Sequence, residues 1–228
     1  MYDLNTLTPL QHRWLRRSNV PLRFWGMTMQ DLEPYADDGA VRHMVATWMD
    51  KVAQGEIIRA RGLSCGLGLC LIGQPGHGKT VLSTVIAQTL IRSVTLDALS
   101  TTQGVRPTRP IYFSYYPEML DLAKKAMNND DDADSLIDAL YGRGQDIDTV
   151  RVLILDDLGK EHTTASKWAE HFFDHLLRSR FDRGLPTIIT SNVPLDAWRD
   201  VYGISMSSFA HEALLTIGIL SPKGDHRL

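Results

Sequence analysis

The chain has 228 residues, 43% hydrophobic and 22% charged, enough for a substantial core in one large domain or two small ones. Its formal net charge of −3 argues against a uniformly basic nucleic-acid protein, though it leaves room for a local basic face. Cys65 and Cys70, with no second pair and no neighbouring histidine cluster, exclude a disulfide framework and a zinc site and read as core-filling side chains. The opening stretch MYDLNTLTPLQHRWLRR has no apolar signal region and no run approaches a membrane span, so the expected setting is the reducing cytoplasm, with no membrane partner.

In chain order, Val41, Met44, Val45, Trp48, Met49 and Val52 recur at threes and fours and predict an amphipathic helix over 38–54. LGLCLI (67–72) reads as a short buried strand, and residues 80–91 place Val81, Leu82, Val85, Ile86 and Leu90 on one face of the next helix. After a loop at 100–110, IYFSYY is a second strand. Pro117 then opens a helix with Met119, Leu120, Ala123, Ala126 and Met127 on its apolar side and Lys124 and Lys125 off it. NNDDDAD (128–134) reads as a solvated turn, because EF-hand spacing and a closing glutamate are absent.

VLIL (152–155) is a third strand, and Trp168, Phe172, Phe173, Leu176, Leu177 and Phe181 mark a long helix whose aromatics belong to the core. TIIT (187–190) and LLTIGIL (214–220) supply two more strands. Apolar strands alternating with helices predict a parallel sheet covered on both faces. With no internal repeat or linker, the expected organisation is one domain over 21–228 behind a short N-terminal arm, 1–20.

GQPGHGKT (73–80) fits the spacing Gly-x4-Gly-Lys-Thr between a predicted strand and a predicted helix. Glycines there let successive backbone N–H groups turn toward phosphate oxygens at the positive end of the helix. The nucleotide-binding stretch is therefore Gly73, Gln74, Pro75, Gly76, His77, Gly78, Lys79 and Thr80 with the adjoining Val81. Lys79 supplies a point charge for the β and γ phosphates, and Thr80 a hydroxyl for Mg²⁺. VLILDDLG (152–159) adds two carboxylates at the C-terminal end of a buried strand, where sheets of this class bind ligands. Asp156 is the expected Mg²⁺ partner and Asp157 the group that orients or deprotonates the attacking water, with Glu161 next in line. Asn192, ending TSN, is placed to reach the γ phosphate. Taken alone, the carboxylate pair would also suit a helix N-cap, and the asparagine a turn.

Taken together, GQPGHGKT, VLILDDLG and RGLPTIITSN, with the weaker elements LRF and GDHR, resemble the AAA+ ATPases of the DnaC-type helicase loaders and the related IstB-type transposition helpers. The resemblance runs from VPLRF (20–24) to GDHRL (224–228). It implies a three-layer αβα P-loop NTPase core with a five-stranded parallel sheet and little or no C-terminal lid. It also implies ATP with Mg²⁺, possible self-assembly, and work on DNA beside a replicative helicase or, as the alternative, a transposase. By position it makes 73–80 the Walker A loop, Asp156 and Asp157 the Walker B pair and Asn192 the sensor-1 residue, and it brings Lys124 and Lys125 into the segment that contacts single-stranded DNA in the family.

Two departures stand out. Only about 20 residues precede the resemblance, too few for an independent helicase-gripping core. This compactness suggests a phage or mobile-element source. Where the family shows Gly-Glu-Arg followed by Ser-Arg, this chain reads YGISMSSFA (202–210), without the arginine finger that acts in trans. Arg178, Arg180 and Arg183 in RSRFDR are the cations offered as substitutes, although their default reading is surface. Slow hydrolysis is the expectation, so an ATPase loader and a nucleotide-gated adaptor both stay open. A metabolic P-loop kinase fits less well, because LDDLG with the TSN strand suits hydrolysis better than transfer to a small acceptor.

Overall fold

A computed structural model describes residues 1–32, 39–53, 59–60, 63–93, 107–143, 148–159 and 167–219. Five parallel strands form one sheet: β3 (Gly68–Ile72), β4 (Ile111–Tyr115), β5 (Val152–Leu158), β6 (Thr187–Ser191) and β7 (Leu214–Gly218). Their spatial order is β4-β5-β6-β3-β7, which sets β3, the strand before the glycine loop, between β6 and β7. A separate two-stranded antiparallel pair, β1 (Arg59–Ala60) and β2 (Leu63–Ser64), precedes it.

Strand periodicity splits the core into two layers. Leu69, Leu71, Ile111, Phe113, Val152, Ile154 and Ile188 meet α1 (Pro9–Arg17), α2 (Gly39–Ala53) and α3 (Lys79–Arg92). Cys70, Leu153, Leu155 and Ile189 meet α4 (Tyr116–Met127), α5 (Asp131–Tyr141), α6 (Lys167–Asp182), α7 (Trp198–Val201) and α8 (Gly203–Ala213). Both cysteines are buried and neither is disulfide-bonded, in keeping with core-filling side chains.

One sequence expectation is revised. The acidic stretch after Met127 is not a turn throughout. Asp130 caps α5 by accepting from the Ala133 N–H (3.0 Å), and Asp131, Asp132 and Asp134 lie in the first turn. Carboxylates there complement the positive helix end, so this acidity favours a helix start. The N-terminal residues pack on the sheet and its helices. Trp14 and Leu15 are buried, the Trp14 indole donates to the Pro107 carbonyl (2.7 Å), and Ser18 accepts from the Phe113 N–H (2.7 Å). With Asn19 donating to the Phe113 carbonyl (2.9 Å), this segment covers the open edge of β4.

Among the described residues no helix is long and apolar enough to cross a membrane. Glu161 and GDHRL lie outside the described residues, as do most of the 100–110 loop and residues 220–228.

Candidate functional site

Backbone shape comes first. Gly76 and Gly78 take φ of 81° and 82°, left-handed values that cost a glycine nothing and bring the chain into α3 at Lys79. Gly73 answers a different demand, since a Cβ there would stand 2.5 Å from the Ile219 carbonyl oxygen. His77 Nδ1 lies 3.2 Å from the same oxygen, pinning the loop to the residue after β7. Gln74 and Pro75 are exposed at the loop's tip, and Val81 packs against the core beneath it.

Lys79 is buried, yet its ammonium is well supplied with acceptors. It donates to the carbonyls of Gly73 (2.7 Å) and Gln74 (2.9 Å) and to Asn192 Oδ1 (2.7 Å). The predicted loop lysine and the residue after β6 are thus in contact across two strands that neighbour each other in the sheet.

The second half of the site hangs on Asp156, 1% exposed at the end of β5. Its Oδ2 accepts from the Thr80 hydroxyl (2.9 Å) and its Oδ1 from the Thr190 hydroxyl (2.7 Å). Thr190 Oγ1 in turn accepts from the Asp157 N–H (2.9 Å). Thr190 therefore joins both carboxylate residues to β6. Sequence reading noted the TSN stretch for its asparagine and passed over the threonine; the signal was its place two residues before Asn192 on a buried strand.

The two aspartates diverge because β5 is irregular there. Leu155 pairs with Ile189 and Leu158 with Ser191, so β5 spends one extra residue between them, a bulge. Asp157 absorbs it at φ 68°, a left-handed conformation that Asp and Asn tolerate better than most residues. Asp156 stays buried while Asp157 is half-buried.

Burial pushes the Asp156 carboxyl up from its ordinary value, with the Asp157 charge adding to the effect, while the Thr190 and Thr80 hydroxyls and Lys79 oppose it. With the folded pKa above the unfolded one, the unfolded chain releases its proton first as pH rises from 3.8, so folding loses stability through that window. Melts of the nucleotide-free protein across this range should show Asp156→Asn gaining on the wild type as pH rises. A pH-independent difference would contradict it.

A buried carboxylate that accepts from two hydroxyl groups, one of them at the end of the glycine loop, is an oxygen donor set suited to Mg²⁺. Thr80 and Asp156 would hold the ion, which neutralises charge on the β and γ phosphates when bound.

The arginines in RSRFDR need correction. Arg180 is fully buried rather than on the surface. Its guanidinium donates to the carbonyls of Leu140, Val150, Arg151 and Pro186 and to the Thr187 hydroxyl, and burial pulls its pKa down to about 9. Arg178 is partly exposed but held by Asp174 (2.9 Å), by Ser205 Oγ (3.2 Å) and over the Phe209 ring (4.2 Å). Arg183 is exposed and donates to Ser179 Oγ (2.8 Å). On α8 itself Ile204, Ser205 and Ser208 are exposed. Lys124 and Lys125 are exposed on α4, away from these residues in the chain, with Lys124 3.4 Å from Asp121.

A glycine loop between β3 and α3, a carboxylate at the end of β5 and an asparagine after β6, on a five-stranded parallel sheet, define a nucleotide-binding protein of the αβα P-loop class. Residues 66–215 match the family of the IstB-like ATP binding protein, and the chain belongs to it. The fold is shared with the crystal structure of DnaI (TM-score 0.60, 21% identity, 89% of this chain and 95% of that one). It is shared too with a Streptococcus pyogenes serotype M3 protein described as a candidate primosome component (TM-score 0.57, 19% identity, 93% and 95%). A curated relative, the uncharacterized protein YqaM of Bacillus subtilis (strain 168), is 30% identical over 136 residues, 58% of this chain and 36% of that protein. The chain thus spans little more than a third of that relative's length.

Proposed function

We propose that the chain binds ATP with Mg²⁺ at Lys79, Thr80 and Asp156, hydrolyses it slowly, and uses its nucleotide state to load a replicative helicase on DNA. The observation that carries this reading is the continuous set of contacts from Lys79 to Asn192 and from Thr80 through Asp156 and Thr190 to Asp157. It brings a phosphate cation, a metal-binding pair and a candidate general base to one end of the sheet. In this reading Lys79 exchanges a carbonyl or Asn192 for phosphate oxygens, Asn192 senses the γ phosphate, and Asp157 orients or deprotonates the attacking water. DnaI and the primosome component support the helicase partner through their shared fold. The IstB-like family supports a second reading, a nucleotide-gated adaptor that recruits a transposase. Contact of Lys124 and Lys125 with single-stranded DNA belongs to either reading.

Slow turnover follows from α8, whose exposed Ile204, Ser205 and Ser208 bring no cation to a neighbouring subunit's phosphates. An arginine supplied in trans accelerates such reactions by about 10³ to 10⁵. Turnover per subunit should therefore stay low and flat across a wide protein concentration range, with and without single-stranded DNA. A steep cooperative rise for the purified protein would overturn the slow-hydrolysis reading and bring Arg178 or Arg183 forward as a trans-acting group.

A further inference from the structure

α1 has a use that the nucleotide site does not absorb. Its sequence, PLQHRWLRR, opens on a capping box between Thr8 and Gln11 and contains no acidic residue. At 100° per residue, His12, Arg13, Arg16 and Arg17 fall on an arc of about 140°, opposite Trp14 and Leu15. The apolar side is used up in the core, where Trp14 and Leu15 are 3% and 1% exposed. Arg13, Arg16 and Arg17 stay exposed, and none forms an ion pair with a described residue. They line a groove of about 550 Å³ with His12, Leu7 and Pro9. From residue 4 to residue 30 the chain holds four arginines and no carboxylate, although its net charge is −3.

We propose that the exposed face of α1, through Arg13, Arg16 and Arg17, binds the phosphodiester backbone of nucleic acid. This goes beyond the nucleotide site and does not depend on it. Gln11 donates to the carbonyl of Arg92, the last residue of α3, whereas Lys79 is the first, so the two sites are separated by a helix of about 20 Å. Arg92, stacked over the Tyr2 ring at 4.2 Å, adds a cation on this side.

Chemistry selects the partner. Guanidinium groups bind phosphates bidentately, and several unpaired ones in a row suit a polyanion. A lipid surface would need an apolar face to insert, and that face of α1 is buried. A protein partner would need a broad apolar or aromatic centre, and of the apolar residues lining the groove Leu7 is buried and Pro9 is small. The surface ends at Arg17, because the adjoining cavity lined by Arg17 and Arg109 also holds Asp132 and Asp148. By contrast, Lys125 lines a cavity with Glu118 and Asp121, so α4 presents a mixed field.

The test is fluorescence anisotropy of a labelled 30-base single strand, and of the duplex of the same length, titrated with the full chain without nucleotide across a salt series. Neutralising three phosphate contacts should cut the slope of log K against log salt by about two to three. The Arg13→Gln/Arg16→Gln/Arg17→Gln variant should therefore bind at least about tenfold more weakly near 0.1 M salt, with unchanged circular dichroism. Should that variant fail to fold, Arg16→Gln alone, at an exposed position, should lower the slope by about one. Unchanged affinity and slope would overturn the proposal. Loss confined to a Lys124→Glu/Lys125→Glu variant would also do so, as would binding of the wild type to phosphatidylserine vesicles but to neither oligonucleotide. A failed nucleotide site would show separately, as absent ATP binding with this salt-dependent binding intact.

Discussion

Replacing Arg180 with alanine is expected to destabilise the protein by about 3–5 kcal/mol, because it strands several buried acceptors at a cost of about 1–3 kcal/mol each. Its guanidinium ties four backbone carbonyls together: Leu140 in α5, Val150 and Arg151 before β5, and Pro186 before β6. Alanine would leave those carbonyls facing a cavity, and buried acceptors without donors are costly. Arg180→Lys should recover only part of the loss, because one ammonium cannot span the fork of contacts that a planar guanidinium makes. For a chain of this size the alanine variant should melt roughly 6–20 °C lower. A change below about 1 kcal/mol would mean that these contacts are replaced by water and that Arg180 is free for another role.

Asp157→Asn is expected to separate binding from hydrolysis, lowering turnover by at least about 100-fold while ATP affinity changes by less than about threefold. Asparagine suits the test because it tolerates the φ of 68° at this position, whereas alanine would add backbone strain to the loss of the carboxylate. Its backbone N–H can still donate to Thr190, so the support of Asp156 is retained. Rapid-quench measurement of bound ATP distinguishes the two effects. Undiminished turnover would remove Asp157 as the base and turn attention to Glu161.

What the sequence disclosed, and what it hid, has a physical pattern. β3, β5 and β6 were legible because strands buried on both faces are continuous apolar runs, and α3 and α6 because their apolar residues keep helical spacing. α5 was hidden by its own N-terminus, where three aspartates that favour a helix start were read as turn composition. Ala133, Ile137, Leu140 and Tyr141, all buried, carried the helical period behind them. Arg180 was read as surface by residue type, although it falls seven residues after the buried Phe173, on the same helix face.

At the site, the spacing of 73–80 was readable because a tight loop entering a helix demands glycines at fixed positions. The Asp156–Asp157 divergence was not, since a bulge leaves no compositional trace. Thr190 was missed because threonine in a buried strand has an ordinary explanation in β propensity.

The reading stands most directly on whether Lys79 binds phosphate. Calorimetric titration of ATP with Mg²⁺ into the wild type and into Lys79→Ala compares the site with and without its buried ammonium. The expected result is one nucleotide per wild-type chain and an affinity about 10- to 100-fold weaker in the variant, in line with a charge-assisted hydrogen bond. Equal affinities, or no saturable binding by the folded wild type, would contradict it.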